Sequence, residues 1–291
     1  MQIKLHPLAE VFGYPVNNQS AKAISARKNQ LCPYNNNVPN CTKDKAKNPL
    51  GVCSVFHAGA PAITCPVRFR EDWLITSDAA SFFFDEGVSW SSLTEVRLTD
   101  GYGKSAGNID VVLVAYDANE KIIDFGALEV QAVYISGNVR EPFEHFMAAP
   151  AKRQEMDWRA QPNYPRPDYL SSSRKRLAPQ LMFKGGIMNE WGKKSAVALS
   201  KAFFDTLPTL ERVAKKDAAV AWFVYDLVLN EALQKYELTK VDEVFTQFNE
   251  ALLKITTTKA GPLSQFMDQL QNKLDERLVT APHNKLIDKP F

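Results

Sequence analysis

Two acids and an amide stand at spacings that could do chemistry. Asp110 lies at the head of the run IDVVLVAY, and nineteen residues later the run GALEVQ carries Glu129 and Gln131. Residues two apart on a strand project from one face. Glu129 and Gln131 therefore point together, and a neighbouring strand can set Asp110 beside them. Two carboxylates so placed repel, and partial burial disfavours their charge. A divalent cation such as magnesium would relieve both problems, because it prefers carboxylate and carbonyl oxygens. Such an ion can stabilise charge on a phosphate and lower the pKa of a bound water. Phosphodiester hydrolysis requires both. The competing reading is a set of ordinary strand-end acids, solvated or paired with Lys or Arg.

A second chemical signal precedes it. The four cysteines, Cys32, Cys41, Cys53 and Cys65, are separated by 8, 11 and 11 residues, and the rest of the chain has none. Four thiolates can complete a tetrahedral site for zinc or iron. The intervening Asn-, Pro- and Gly-rich stretch suits loops and makes a poor core, so a metal could supply the order that packing does not. Two disulfides or four unrelated buried thiols are the alternatives. His57 is either a substitute ligand or a surface histidine.

The elements that must position these groups read as follows. Helices are expected near Leu8–Phe12 and Ala21–Lys28, and a helical or mixed segment over Phe69–Leu93. Glu95–Leu98, Ile109–Tyr116 and Ile122–Tyr134 read as strands, with a turn at Asp117–Glu120. The middle of the chain is thus a sheet of hairpin-connected strands. Residues 150–170 are loop-like, with four prolines. Residues 171–207 read as mainly helical. The apolar run Ala218–Leu229 suits a strand or a helix, its Val, Trp, Phe and Tyr favouring a strand. Amphipathic helices are expected at Val241–Ile255 and Leu263–Val279.

Composition bounds the class. The 291 residues are 45% hydrophobic and 23% charged, with a net charge of +2, ordinary values for a soluble globular protein. Any positive surface must come from local clustering. No uncharged apolar stretch is long enough to span a membrane, and Met1–Gly13 lacks the pattern of a signal peptide. A cytoplasmic setting is expected, in which thiols stay reduced. Residues 171–194 carry six Lys or Arg against one acid, Glu190. Arg174, Lys175, Arg176 and Lys184 could neutralise phosphates, or could simply be a solvated helix face. Arg68 and Arg70, beside the last cysteine, could reach phosphates or guanine edges.

Several ordered blocks resemble the NotI-type restriction endonucleases of the PD-(D/E)xK nuclease superfamily. They are LAEVFGY, SARKNQLCP, GVCSV, TCPVRF and GALEVQAVYISG, with a weaker match over 177–207. The resemblance implies a mixed α/β nuclease core, a central mixed sheet flanked by helices, with an N-terminal metal-binding region. The latter would span 1–70 and the core 71–291. It implies magnesium-dependent cleavage of double-stranded DNA, and iron (or zinc) held by Cys32, Cys41, Cys53 and Cys65. Asp110 and Glu129 map to the catalytic, magnesium-binding acids. Gln131 maps to a position that is lysine in most of the superfamily, where its amide can still hold a water. Glu95 is either a further acid of the site, as in related nucleases, or a solvated strand residue. Cutting both strands of a palindrome implies a homodimer, and the family implies a cognate DNA methyltransferase. A non-catalytic DNA-binding module and a structure-specific repair nuclease are the other functions compatible with these residues.

Overall fold

The computed structural model describes residues 6–35, 38–45 and 47–280. Met1–Leu5, the start of the stretch read above for a signal peptide, lie outside the described residues. The chain divides into two units, Met1–Ile255 and Thr256–Phe291. The second holds the helix Leu263–Thr280.

In the first unit, β1 (Leu8–Val11) pairs antiparallel with β2 (Tyr14–Pro15). The helix Ala21–Lys28 follows, its first turn capped by Ser20, whose hydroxyl accepts from Ala23 N. A small ribbon joins β3 (Asp44–Lys45) to β4 (Asn48–Pro49). Then β5 (Val52–His57) and β6 (Ala60–Ile63) complete a four-stranded sheet in the order β2-β1-β5-β6. The expected helix at Leu8–Phe12 is therefore a strand. All four residues of β1 are buried, and a short run that is apolar on both faces has no period to tell strand from helix.

This region makes its own core. Leu8, Val11, Phe12, Val52, Val55, Phe143 and Phe146 pack together with Cys41. That packing overturns the expected four-cysteine metal region, whose premise was a segment unable to order itself. All four cysteines are free, and three are buried. Burial pushes the Cys32 thiol up to about 11, raises Cys41, and raises Cys53 well above its usual range, with neighbouring thiols adding to each rise. Cys53 Sγ lies 3.8 Å from the Gly51 carbonyl. Among the described residues, no group of three or more His, Cys, Asp or Glu is arranged to hold a metal ion.

The main sheet begins with three antiparallel strands, β7 (Trp90–Thr99), β8 (Ser105–Tyr116) and β9 (Ile122–Gln131). A short pair, β10 (Tyr134–Ser136) and β11 (Arg166–Asp168), stands apart. The sheet continues through β12 (Ser195–Ser200), parallel to β9, then β13 (Val220–Asn230), parallel to β12, and ends at β14 (Lys235–Thr246), antiparallel to β13. The order is β14-β13-β12-β9-β8-β7, so the expected mixed α/β fold with a central mixed sheet is present. Two expected helical stretches contain strands. SAVALS of β12 is short, Ala-rich and buried on both faces, which hides its period. β14 replaces the first part of the helix expected over Val241–Ile255; only Phe248–Thr256 is helical there.

Helices cover both faces. The helix Leu74–Phe83 packs Ile75, Ala79 and Phe83 against Val111, Leu113, Leu128 and Val130. Gly126 permits this approach: a Cβ there would meet the Phe83 ring at 2.4 Å. On the other face, Val112, Val114 and Ala127 pack with Met188, which belongs to a helical run from Tyr169 to Glu190. That run contains two π-helical segments, Ser173–Leu177 and Leu181–Gly185. Such wide turns are uncommon and concentrate at functional sites.

Candidate active site

The alternation of β8 and β9 decides which side chains meet. Val111 and Leu113 join one core, and Val112 and Val114 the other. Asp110 therefore shares the second face. On β9, Leu128 and Val130 face the first core and Ala127 the second, which sends Glu129 and Gln131 to the face of Asp110. The last paired residues are Val111 and Leu128, so Asp110 and Glu129 sit one step beyond, side by side. Asp110 Oδ2 accepts the backbone N–H of Val130 at 2.8 Å. The side chain thus satisfies an amide left open where the regular β8–β9 pairing ends.

Glu129 is 7% exposed. Burial first, and then the neighbouring Asp110 carboxylate, raise its pKa to about 8, against the pull of a cation. The cation is Lys184, itself 5% exposed. Its Nζ donates to Glu129 Oε2 at 2.6 Å and to the Asn108 carbonyl at 2.7 Å. The second carboxylate oxygen, Glu129 Oε1, is buried without a hydrogen-bond partner. Gln131 is fully buried. Its Nε2 donates to Gln180 Oε1, while its own Oε1 is likewise buried and unpartnered. Glu129, Gln131, Gln180 and Lys184 line a small cavity of about 10 Å³, closed by Leu177, Leu181 and Met188. By volume that is close to the room one water needs.

Glu95 opposes Asp110 in the β7–β8 register, between the pairs Thr94–Val111 and Val96–Ile109. Glu95, Asp110 and Glu129 thus fall in one row across three strands. Among the described residues the row does not form a metal-holding group; Glu95 has a left-handed backbone (φ 55°) and is exposed. The expected magnesium pair is corrected on the same ground as the cysteines: no group of three or more potential ligands is arranged for an ion among the described residues. The charge that two close acids require is supplied here by the Lys184 ammonium, and one Asp110 oxygen is taken by an amide. The residues as arranged do not fit a divalent cation.

The basic residues separate into inner and outer sets. Arg68 is fully buried, bonded to Glu10 at 3.1 Å, to Glu71 at 2.8 Å and to the Tyr236 carbonyl at 2.9 Å. That removes it from any DNA-facing surface and ties the N-terminal sheet to β14. Arg70 is half-buried beside a 150 Å³ cavity with Tyr34, Asp72, Trp73 and Lys235. Arg174 and Lys175 are exposed, and Arg176 lies over the Tyr134 ring at 5.4 Å. Lys184 is on the inside with Glu129. Its burial was hidden in the sequence because the basic cluster reads as one surface. The signal that could have found it is the apolar framing by Leu177, Leu181 and Met188, at helical spacing.

A buried acid and a half-buried one, both hydrogen-bonded, with a lysine and two open acceptors can hold a water and move a proton from it. No helix among the described residues is long and apolar enough to cross a membrane. No curated protein matches the chain. The family described as "Restriction endonuclease NotI" matches residues 10–238, a span that takes in the N-terminal sheet, the acid row and Lys184. The chain therefore belongs to the NotI restriction endonuclease family, within the wider association of PD-(D/E)xK-like nucleases.

Proposed function

We propose that the chain is a type II restriction endonuclease, hydrolysing phosphodiester bonds of double-stranded DNA at a fixed sequence. The observation that carries this is the convergence of Asp110, Glu129 and Gln131 on one face, in a chain of this family. Glu129, with a pKa near 8, suits a general base, which works best when its pKa lies near the working pH. It takes a proton from a water as that water attacks phosphorus; the bond from phosphorus to the 3′ oxygen breaks, and that oxygen takes a proton from solvent to leave as a 3′ hydroxyl. Gln131 helps hold the water, and Asp110 keeps Glu129 basic. Glu95, exposed at the end of the row, would be open to an approaching DNA strand. Arg174, Lys175 and Arg176 contact phosphates. Cutting a twofold-symmetric target calls for a homodimer, and a cognate methyltransferase would protect the host's own sites.

Purified protein incubated with mixed-sequence plasmid, in buffers with and without an added divalent salt, tests the reading. Discrete fragments with one end sequence support it. Salt-sensitive binding with no cutting would identify a DNA-binding module, and cutting without a fixed end sequence a structure-specific nuclease.

A further inference from the structure

We propose that Gln180 and Lys184, one helical turn apart on the run Tyr169–Glu190, are the positioning residues of this site, each fixing one strand side chain so that a single acceptor oxygen stays open. The inference rests on the nuclease reading and adds to it two residues from outside the sheet.

The geometry is paired. Lys184 occupies Glu129 Oε2 and leaves Oε1 without a partner. Gln180 occupies Gln131 Nε2 and leaves Gln131 Oε1 without a partner. Glu129 and Gln131 are two apart on β9 and share a face; Gln180 and Lys184 are four apart on a helix and share a face. Two donor–acceptor clamps therefore lie in register, one above the other. Each leaves a buried acceptor without a partner, on a residue that lines the same 10 Å³ cavity.

Two open acceptors on residues that line one small space are matched by a molecule with two O–H donors. Water is that molecule, and the cavity admits about one. Its two hydrogens would go to Glu129 Oε1 and Gln131 Oε1, leaving its lone pairs free. A buried acceptor otherwise costs free energy, so the arrangement favours such an occupant. The clamps also explain why the strand itself needs no cation beside Glu129. The lysine comes from a helix, anchored at its other contact by the Asn108 carbonyl, two residues before Asp110. One side chain thereby fixes both acid-bearing strands relative to each other.

A positioning role and a phosphate-contact role for Lys184 make opposite kinetic predictions. Lys184→Met should lower kcat about a hundredfold with KM for DNA within about threefold of wild type. A phosphate contact would instead raise KM and flatten the salt dependence of binding. Gln180→Ala, at a half-buried position, should lower kcat about tenfold with the same unchanged KM. It serves as the second variant if Lys184→Met melts too low to assay. Wild type that cuts DNA, together with variants of near-normal kcat or with a change in KM alone, would overturn the positioning role while leaving the nuclease reading intact. If wild type cuts no DNA in any buffer, the nuclease reading fails and this inference falls with it.

Discussion

Asp110 is bonded to the backbone of the strand that carries Glu129: its Oδ2 accepts the Val130 N–H at 2.8 Å. The acid is thus both a member of the site and a brace for the end of β8. Asp110→Asn keeps an acceptor oxygen for that amide, whereas Asp110→Ala leaves a buried N–H unpaired. Denaturant melts should show Asp110→Asn close to wild type and Asp110→Ala destabilised by about 1–3 kcal/mol. Both should lose cleavage. A normal rate in Asp110→Asn would remove Asp110 from the site.

The pH dependence follows from Glu129, whose pKa burial raises to about 8. A base must be deprotonated, so kcat should rise with pH and level off above about 8. Stability runs the other way. The folded state holds this proton more tightly than the unfolded chain does. The stabilisation is full below the ordinary glutamate pKa near 4.5, and is lost as pH rises through about 8. Glu129→Gln should remove this contribution to the stability profile and lower kcat by about 10²–10⁴. An unchanged stability profile in that variant would show that Glu129 titrates in its ordinary range.

Arg68 is a structural cation. Arg68→Met leaves the buried Glu10 carboxylate without its cation, held only by the Ser54 hydroxyl, and should cost about 3–5 kcal/mol. Adding Glu10→Gln should recover much of that loss. DNA affinity per folded molecule, measured at low temperature by fluorescence anisotropy, should match wild type in both. A large affinity loss in well-folded protein would return Arg68 to the DNA surface.

The cysteines should behave as packing residues. Dialysis against a strong chelator should leave the melting temperature unchanged, and elemental analysis should find well under one iron or zinc per chain. Cys41→Ala should be tolerated at a cost of about 1–2 kcal/mol, since it trims a small buried side chain. Chelator-induced unfolding would reverse this assignment.

Arg174 and Lys175 are exposed on the helical run. Replacing each by Ala should reduce the slope of log affinity against log salt by about 1, with kcat unchanged. Unaltered salt slopes would place the DNA elsewhere.

What the sequence revealed depended on whether the pattern had one period. β8 and β9 were legible because β-branched runs flank Asp110 and Glu129, and the two-residue alternation then fixed a common face for both acids. β12 was not, because its six residues are buried on both faces and alternate nothing. β1 failed for the same reason. The cysteines misled because their flanking Asn, Pro and Gly suggested a segment without a core, whereas Leu8, Phe12 and Val52 from either side close over it. Lys184 was visible only as a charge, since the fact that it turns inward depends on a contact with Glu129, 55 residues away.

The wide turn at Leu181–Gly185 bears on how this site could have arisen or be lost. A π turn holds one residue more than the α turn it interrupts. Deleting a single residue between Leu181 and Lys184 would restore ordinary pitch at little local cost. Because the wide turn absorbs the extra residue, the helix on either side of it would keep its facing. Relatives in which Lys184 is the residue lost would keep a sound scaffold and both acids, yet have to draw their positive charge from another source.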